Sequence, residues 1–200
     1  MKTFFAVLAL CFGTTLAVAE TARILVIGDS LSEGYGVNKE DAYPRQLELL
    51  LKDAGKDVTV INAGSSGSTS AGAVARLRWH LKVKPKILIL ALGANDGLRG
   101  VQPDATQKNL AQCITLAKAN GVLVYLAGMK MPYNYGEKYR GAFEKIFPEL
   151  VREFQIKEIP FLLQGVGGIA ALNQSDGIHP NEKGHKIIAQ NISKVLLKDL

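Results

Sequence analysis

The sequence predicts a doubly wound α/β domain on a parallel sheet, and three observations carry that expectation. Four short runs, 24–27, 58–61, 87–92 and 122–126, are rich in aliphatic and β-branched residues and do not alternate with polar ones, as expected of strands covered on both faces. Between them lie segments whose apolar residues recur at helical spacing, so strand and helix alternate about five times. The length of 200 residues, with 48% hydrophobic and 21% charged, is that of one ordinary globular domain.

In chain order, the first segment is not part of that domain. Lys2 precedes an apolar stretch from Phe4 to Phe12, and Ala17-Val18-Ala19 offers small residues around a cleavage position. This layout predicts a secretory signal peptide over 1–19 and a single domain over 20–200. The apolar run is too short to span about 30 Å of hydrocarbon, so no stable membrane anchor is expected. Bulky Leu10 disfavours a lipid anchor on Cys11. The expected location is therefore exported, periplasmic or secreted. Two cysteines make no disulfide framework, and the leader takes Cys11 with it. Cys113 shares a helical face with Leu110, Ile114 and Ala117, where a free thiol behaves as a small hydrophobe.

The first strand, 24–27, is followed by a helix whose stripe is Tyr43, Leu47, Leu50, Leu51 and Ala54, with Asp41 as the expected N-cap and Gly55 as the stop. After the second strand, 69–82 forms a helix with Val74, Leu77 and Leu81 on one side. The strongest stripe is Tyr139, Phe143, Ile146, Phe147, Leu150, Val151 and Phe154, which contains Pro148. A weaker fifth strand is expected at 159–163, and a last helix carries Ile188, Ile192, Val195 and Leu196. In such sheets, ligands bind outside the carboxyl ends of the strands. Four segments should meet there or beside it: 28–32 (GDSLS), 62–67 (NAGSSG), 93–97 (GANDG) and 176–180 (DGIHP).

Those residue types suit acyl transfer. A serine hydroxyl is a weak nucleophile until a base takes its proton, which points to Ser30 and His179. A carboxylate must hold the imidazole in the right tautomer, which points to Asp176. An oxyanion needs fixed donors, here the backbone N–H of Ser30 and Gly67 and the amide of Asn95.

With GDS followed by Leu-Ser at 28–32, SGSTS at 66–70, GANDGLRG at 93–100 and DGIHPN at 176–181, the chain resembles the GDSL, or SGNH, hydrolase superfamily. Within it, the chain is similar to the branch acting on acyl esters, thioesters and lysophospholipids. The blocks stand in family order, and the resemblance runs from about Arg23 to the C-terminus. It implies a three-layer α/β/α fold with strand order 2-1-3-4-5. It implies Ser30, Asp176 and His179 as the triad and Ser30, Gly67 and Asn95 as the oxyanion hole. It also implies an acyl channel touched by Asp96, Gly97, Leu98, Met131 and Pro132. The chain departs from the family pattern at 165–169 (GVGGI), where glycines replace bulkier residues and leave less side-chain wall.

Competing readings are weaker. Ser30 alone could be a helix cap, but three further blocks accompany it. Asp176, His179 and His185 could suggest zinc, yet no cysteine cluster or H-E-x-x-H supports it, so no metal or organic cofactor is expected. His80 and His185 read as surface residues. Gly165-x-Gly167-x-x-Ala170 mimics a dinucleotide fingerprint but leads to no second strand. The net charge of +6 is spread along the chain, and Arg76, Arg78, Lys82, Lys84 and Lys86 read as a solvated helix face, with weak attraction for anionic lipid or CoA phosphates as the alternative. No basic-aromatic platform for nucleic acid is present. The expected partner is a small acyl ester, thioester or lysophospholipid bound by a monomer. The alternatives are a carbohydrate O-deacetylase and a non-catalytic lipid-binding module.

Overall fold

The structure is a computed structural model that describes residues 21–200; the expected leader over 1–19 lies outside the described residues. Strands β1 (Ala22–Gly28), β2 (Val58–Gly64), β3 (Ile87–Ala91), β4 (Leu123–Ala127) and β5 (Lys157–Ile159) form one parallel sheet in the order β2-β1-β3-β4-β5. The chain contributes helices α1 (Ser30–Glu33), α2 (Tyr43–Asp53), α3 (Ala73–His80), α4 (Ala94–Leu98), α5 (Pro103–Ala119), α6 (Glu137–Phe154) and α7 (Glu182–Leu196). Helices α2 and α7 pack together on one face, while α5 packs between α3 and α6 on the other. The three-layer arrangement and the strand order are those expected.

The central strands explain why the apolar runs do not alternate. Ile24, Leu25, Val26 and Ile27 are fully buried, as are Leu88, Ile89 and Leu90, because helices cover both faces. β2 differs. It is an edge strand, so Thr59 and Asn62 are exposed and Val60 and Ile61 are only partly covered. The fifth run is also corrected: β5 is Lys157–Ile159, and the apolar residues after Ile159 turn away from the sheet. Their apolarity has another cause, since Leu162 is buried and Phe161 and Leu163 face a cavity. The helix expected over 69–82 is narrower, with 3₁₀ turns at Ser70–Gly72 and Leu81–Val83 flanking α3. Cys113 is buried as expected, and burial pushes its thiol up to about 12, which makes it an inert core group.

Three polar expectations need correction. Asp41 does not cap α2; Pro44 sits in the first turn, and Ala42 occupies the cap position without a side-chain acceptor. The orphan Tyr43 N–H donates instead to Nδ1 of His185, 3.2 Å away on α7. His185 is therefore buried rather than on the surface. Arg76 is not a solvated cation either. Its guanidinium reaches the ends of β1 and β2 and donates to Gly28 O, at 2.9 Å, and to Ala63 O.

The His185 contact sets a pH dependence. Burial lowers its pKa from 6.5 to about 4, so the native state resists a proton that the unfolded chain accepts. The stabilisation is complete above pH 6.5 and is lost as pH falls through about 4, by about 3 kcal/mol. Asp29 acts in the opposite sense, because burial raises its carboxyl to about 6 and the native state then holds a proton more tightly than the unfolded one. The measurement is thus a difference: urea unfolding at pH 7 and pH 4.5 for the parent chain and for His185→Gln. The variant should lose less stability on acidification than the parent; equal losses would refute this role for His185.

Candidate active site

The register brings the ends of the first three strands level, with Gly28 beside both Gly64 and Ala91. α1 turns directly over that edge. A Cβ on Gly28 would stand 1.9 Å from Ser32 Oγ, and one on Gly64 would stand 2.2 Å from the Glu33 N. Only glycine allows α1 to lie so close. Asp29 closes the start of α1, its Oδ1 accepting from Leu31 N–H at 3.0 Å, which places Ser30 at the first helical position on the rim.

The partner of Ser30 arrives from the far end of the chain. His179 Nε2 lies 2.9 Å from Ser30 Oγ, and His179 Nδ1 lies 2.7 Å from Asp176 Oδ2. The other carboxylate oxygen of Asp176 accepts from the backbone N–H groups of Ile178 and His179, both at 3.0 Å. The His179 N–H foremost, with the imidazole and the Ile178 N–H, holds the Asp176 pKa down at about 2, so the group is an anion at neutral pH. Gly177, at φ 76°, makes that tight turn possible. The loop is braced by Asn173 and Gln174, which carry no motif signal, and by Asn181 at the end of the DGIHPN block. Gln174 N–H donates to His179 O, Asn173 donates to Val166 O and Ile169 O, and Asn181 caps α7 through Lys183 and Gly184. The ring of Tyr35 stands 4.7 Å from that of His179 and partly covers it.

Asn95 projects from α4, and its Nδ2 donates to Ser68 O at 3.1 Å, which leaves the second amide hydrogen uncommitted. Gly67 lies in the adjoining turn with φ 74°, and its carbonyl accepts from Arg99 at 3.0 Å. Ser30 and Asn95 face a cavity of about 820 Å³; Gly67 sits beside it in the turn that Asn95 and Arg99 hold. That volume is within the ordinary range for small-molecule sites.

The five residues expected along the acyl channel divide. Leu98, Met131 and Pro132 line the cavity, together with Phe161 and Leu163. Asp96 and Gly97 do not. Asp96 is buried behind the wall, accepting from Ser70 N–H at 2.8 Å, from Ser70 Oγ at 2.5 Å and from Thr106 Oγ1 at 3.3 Å. Gly97 is packed beneath Met131, where a Cβ would come within 2.2 Å of the sulfur. The Tyr139 hydroxyl on α6 bonds to Val101 O and Gly97 O, and that of Tyr135, in the 3₁₀ turn before α6, donates to Leu98 O, so both hold the end of α4. Gly167 and Gly168 of the glycine-rich segment form part of the cavity wall. Among the described residues, no group of three His, Cys, Asp or Glu could hold a metal ion, and no helix is long and apolar enough to cross a membrane.

A hydroxyl, an imidazole and a carboxylate in series, beside an amide donor on the rim of a doubly wound sheet, define the class of SGNH-type serine hydrolases. The chain belongs to the GDSL-like lipase/acylhydrolase family, whose model matches residues 26–187. It is 40% identical to the esterase TesA of Pseudomonas aeruginosa over 186 residues, 92% of each chain. It is 39% identical to thioesterase 1/protease 1/lysophospholipase L1 of Escherichia coli K12 over 184 residues, 91% of this chain and 86% of that one. A crystal structure of TesA superposes with a TM-score of 0.86 at 38% identity, covering 89% of this chain and 99% of that one.

Proposed function

We propose that the protein is an exported esterase that hydrolyses acyl esters and thioesters, lysophospholipids among them, through an acyl-serine intermediate. The observation that carries the reading is the unbroken series Ser30 Oγ, His179 and Asp176 at 2.9 and 2.7 Å beside a largely apolar cavity. Ser30 Oγ attacks the acyl carbonyl while His179 Nε2 takes its proton. Asp176 keeps the Nδ1 hydrogen in place and stabilises the imidazolium that forms. The negative charge on the former carbonyl oxygen is met by the N–H groups of Ser30 and Gly67 and by Asn95 Nδ2. His179 returns the proton to the leaving alcohol or thiol. Water then repeats the sequence on the acyl-serine and frees the carboxylic acid, so the cycle needs no cofactor. Leu98, Met131, Pro132, Phe161 and Leu163 give the acyl chain its apolar surroundings, which favours long acyl groups over acetylated sugars. The apolar stretch before residue 20 supports export, and the protein acts as a monomer.

The reading is tested with an activated alkylphosphonate ester. One equivalent should attach, the mass increment should map to Ser30, and esterase activity should fall in proportion. A folded protein that stays unlabelled would overturn the proposal. Asn95→Ala should lower kcat by about 10²–10³-fold, with little change in KM, because its bond to the oxygen forms fully only in the transition state. A rise in KM at unchanged kcat would instead assign Asn95 to ground-state binding.

A further inference from the structure

A second surface has no part in the chemistry and has an unusual composition. Between Asp57 and Asp96 the chain contains no acidic residue, yet it carries Arg76, Arg78, Lys82, Lys84 and Lys86. Arg76 turns inward to the strand ends, and the other four cations are exposed. Among them stands Trp79, the chain's one tryptophan, 66% exposed at the end of α3. Lys82 Nζ lies 3.5 Å from the centre of its indole ring. The acidic residues at the two ends of the stretch are engaged elsewhere: Asp57 accepts from Thr21, and Asp96 is buried with Ser70. The local field is felt by His80, whose pKa is lowered by partial burial and then by Arg76 and Lys82.

The backbone adds an independent observation. Lys84 ends the second 3₁₀ turn in the left-handed region, at φ 48°, where glycine or asparagine is the usual occupant. Lys84 is itself exposed, so no buried contact of its side chain explains its presence there. The conformation closes the turn, with Lys84 N–H donating to Leu81 O at 2.9 Å, and leaves the side chain at the surface. That side chain is a further exposed cation two positions beyond Lys82.

From these features we propose that Trp79, Arg78, Lys82, Lys84 and Lys86 form a docking face for an anionic phospholipid bilayer. An indole is apolar in body and polar at its N–H, which suits the headgroup boundary. Flanking lysines reach phosphate through flexible apolar stems, and each adds attraction that salt weakens. One isolated aromatic without a stacking partner fits a lipid interface better than a nucleic acid, which needs successive stacking platforms. The face lies at the amino ends of the strands, since Lys86 directly precedes β3, whereas Ser30 and His179 lie at the carboxyl ends. Docking therefore leaves the cavity mouth clear and holds it toward the aqueous side.

The single tryptophan makes the test direct. Emission of the purified protein is followed while vesicles of phosphatidylglycerol and phosphatidylethanolamine, or of phosphatidylcholine alone, are added. The anionic vesicles should shift the emission to the blue, brominated acyl chains should quench it, and raising salt should reverse both. The triple variant Lys82→Glu, Lys84→Glu, Lys86→Glu should weaken partitioning by about a hundredfold, with hydrolysis of a soluble aryl ester unchanged. Trp79→Ala, followed by cosedimentation, should also bind less and remain active, which guards against a triple variant that fails to fold. Equal shifts with zwitterionic and anionic vesicles, no loss in either variant, or a shift with heparin but not with phosphatidylglycerol would each overturn the proposal.

Discussion

Replacing Ser30 by alanine is expected to reduce kcat for p-nitrophenyl esters by on the order of 10⁵-fold or more, while the protein stays folded. The size follows from the loss of a step and not merely of a contact. Without Oγ there is no acyl-serine, and His179 can only assist direct attack by water. What survives is the contribution of the fixed donors and of the cavity, which binds substrate much as before. Stability should change little. The α1 cap is supplied by Asp29 and not by Ser30, and only the 2.9 Å bond to His179 is lost. Circular dichroism and the urea midpoint should therefore match the parent. Turnover within about tenfold of the parent, in protein shown to be free of parent enzyme, would mean that another group is the nucleophile.

Asp96→Ala should have the largest effect on stability. Asp96 is buried and accepts from the Ser70 N–H, the Ser70 hydroxyl and the Thr106 hydroxyl, and Asn109 adds a bond to the same Ser70 oxygen at 3.0 Å. Truncation strands three buried donors. Each unmet group costs about 1–3 kcal/mol, which gives a total near 4 kcal/mol once local relaxation is allowed. That is a large part of the 5–15 kcal/mol typical of a domain. Asp96→Asn keeps one acceptor oxygen and should lie between the two. The effect should reach catalysis as well, since Ser70 anchors the segment that carries Gly67 and Ser68. The checks are urea unfolding and, on the protein that remains folded, kcat. A midpoint unchanged from the parent would show that the segment is held by other means.

The sheet was readable from sequence because burial on both faces writes itself directly into a strand. Runs such as 87–92 have no polar position to spare. The weaker predictions failed where one residue type serves two masters. At 159–163 the apolar residues are explained by the cavity and not by strand pairing, and composition alone cannot separate those causes. The meeting of Ser30, His179 and Asp176 was legible because each sits in a short glycine-bearing turn of restricted composition. The braces were not. Arg76 has backbone carbonyls as its partners, and a carbonyl has no side-chain identity to detect. Asp96 was expected on the acyl channel from the family resemblance, yet its partners lie at positions 70 and 106, on two other elements. His185 did leave a trace. It falls on the same stripe as Ile188, Ile192 and Leu196, three residues before the first of them, which is the pattern of a buried polar group with a partner.

The site is also ordered in time. Ser30 and His179 are separated by 149 positions, and the helix that follows His179 packs against α2 near the opposite end of the chain. A polypeptide emerging from its amino end thus presents Ser30 well before His179 exists to meet it. Until α7 seats on α2, Tyr43 N–H lacks its acceptor and the histidine loop lacks its support. A length of chain that stops before position 179 lacks the imidazole that faces Ser30. The Ser30–His179 contact therefore reports on the seating of α7 against α2, a step that formation of the sheet alone does not require.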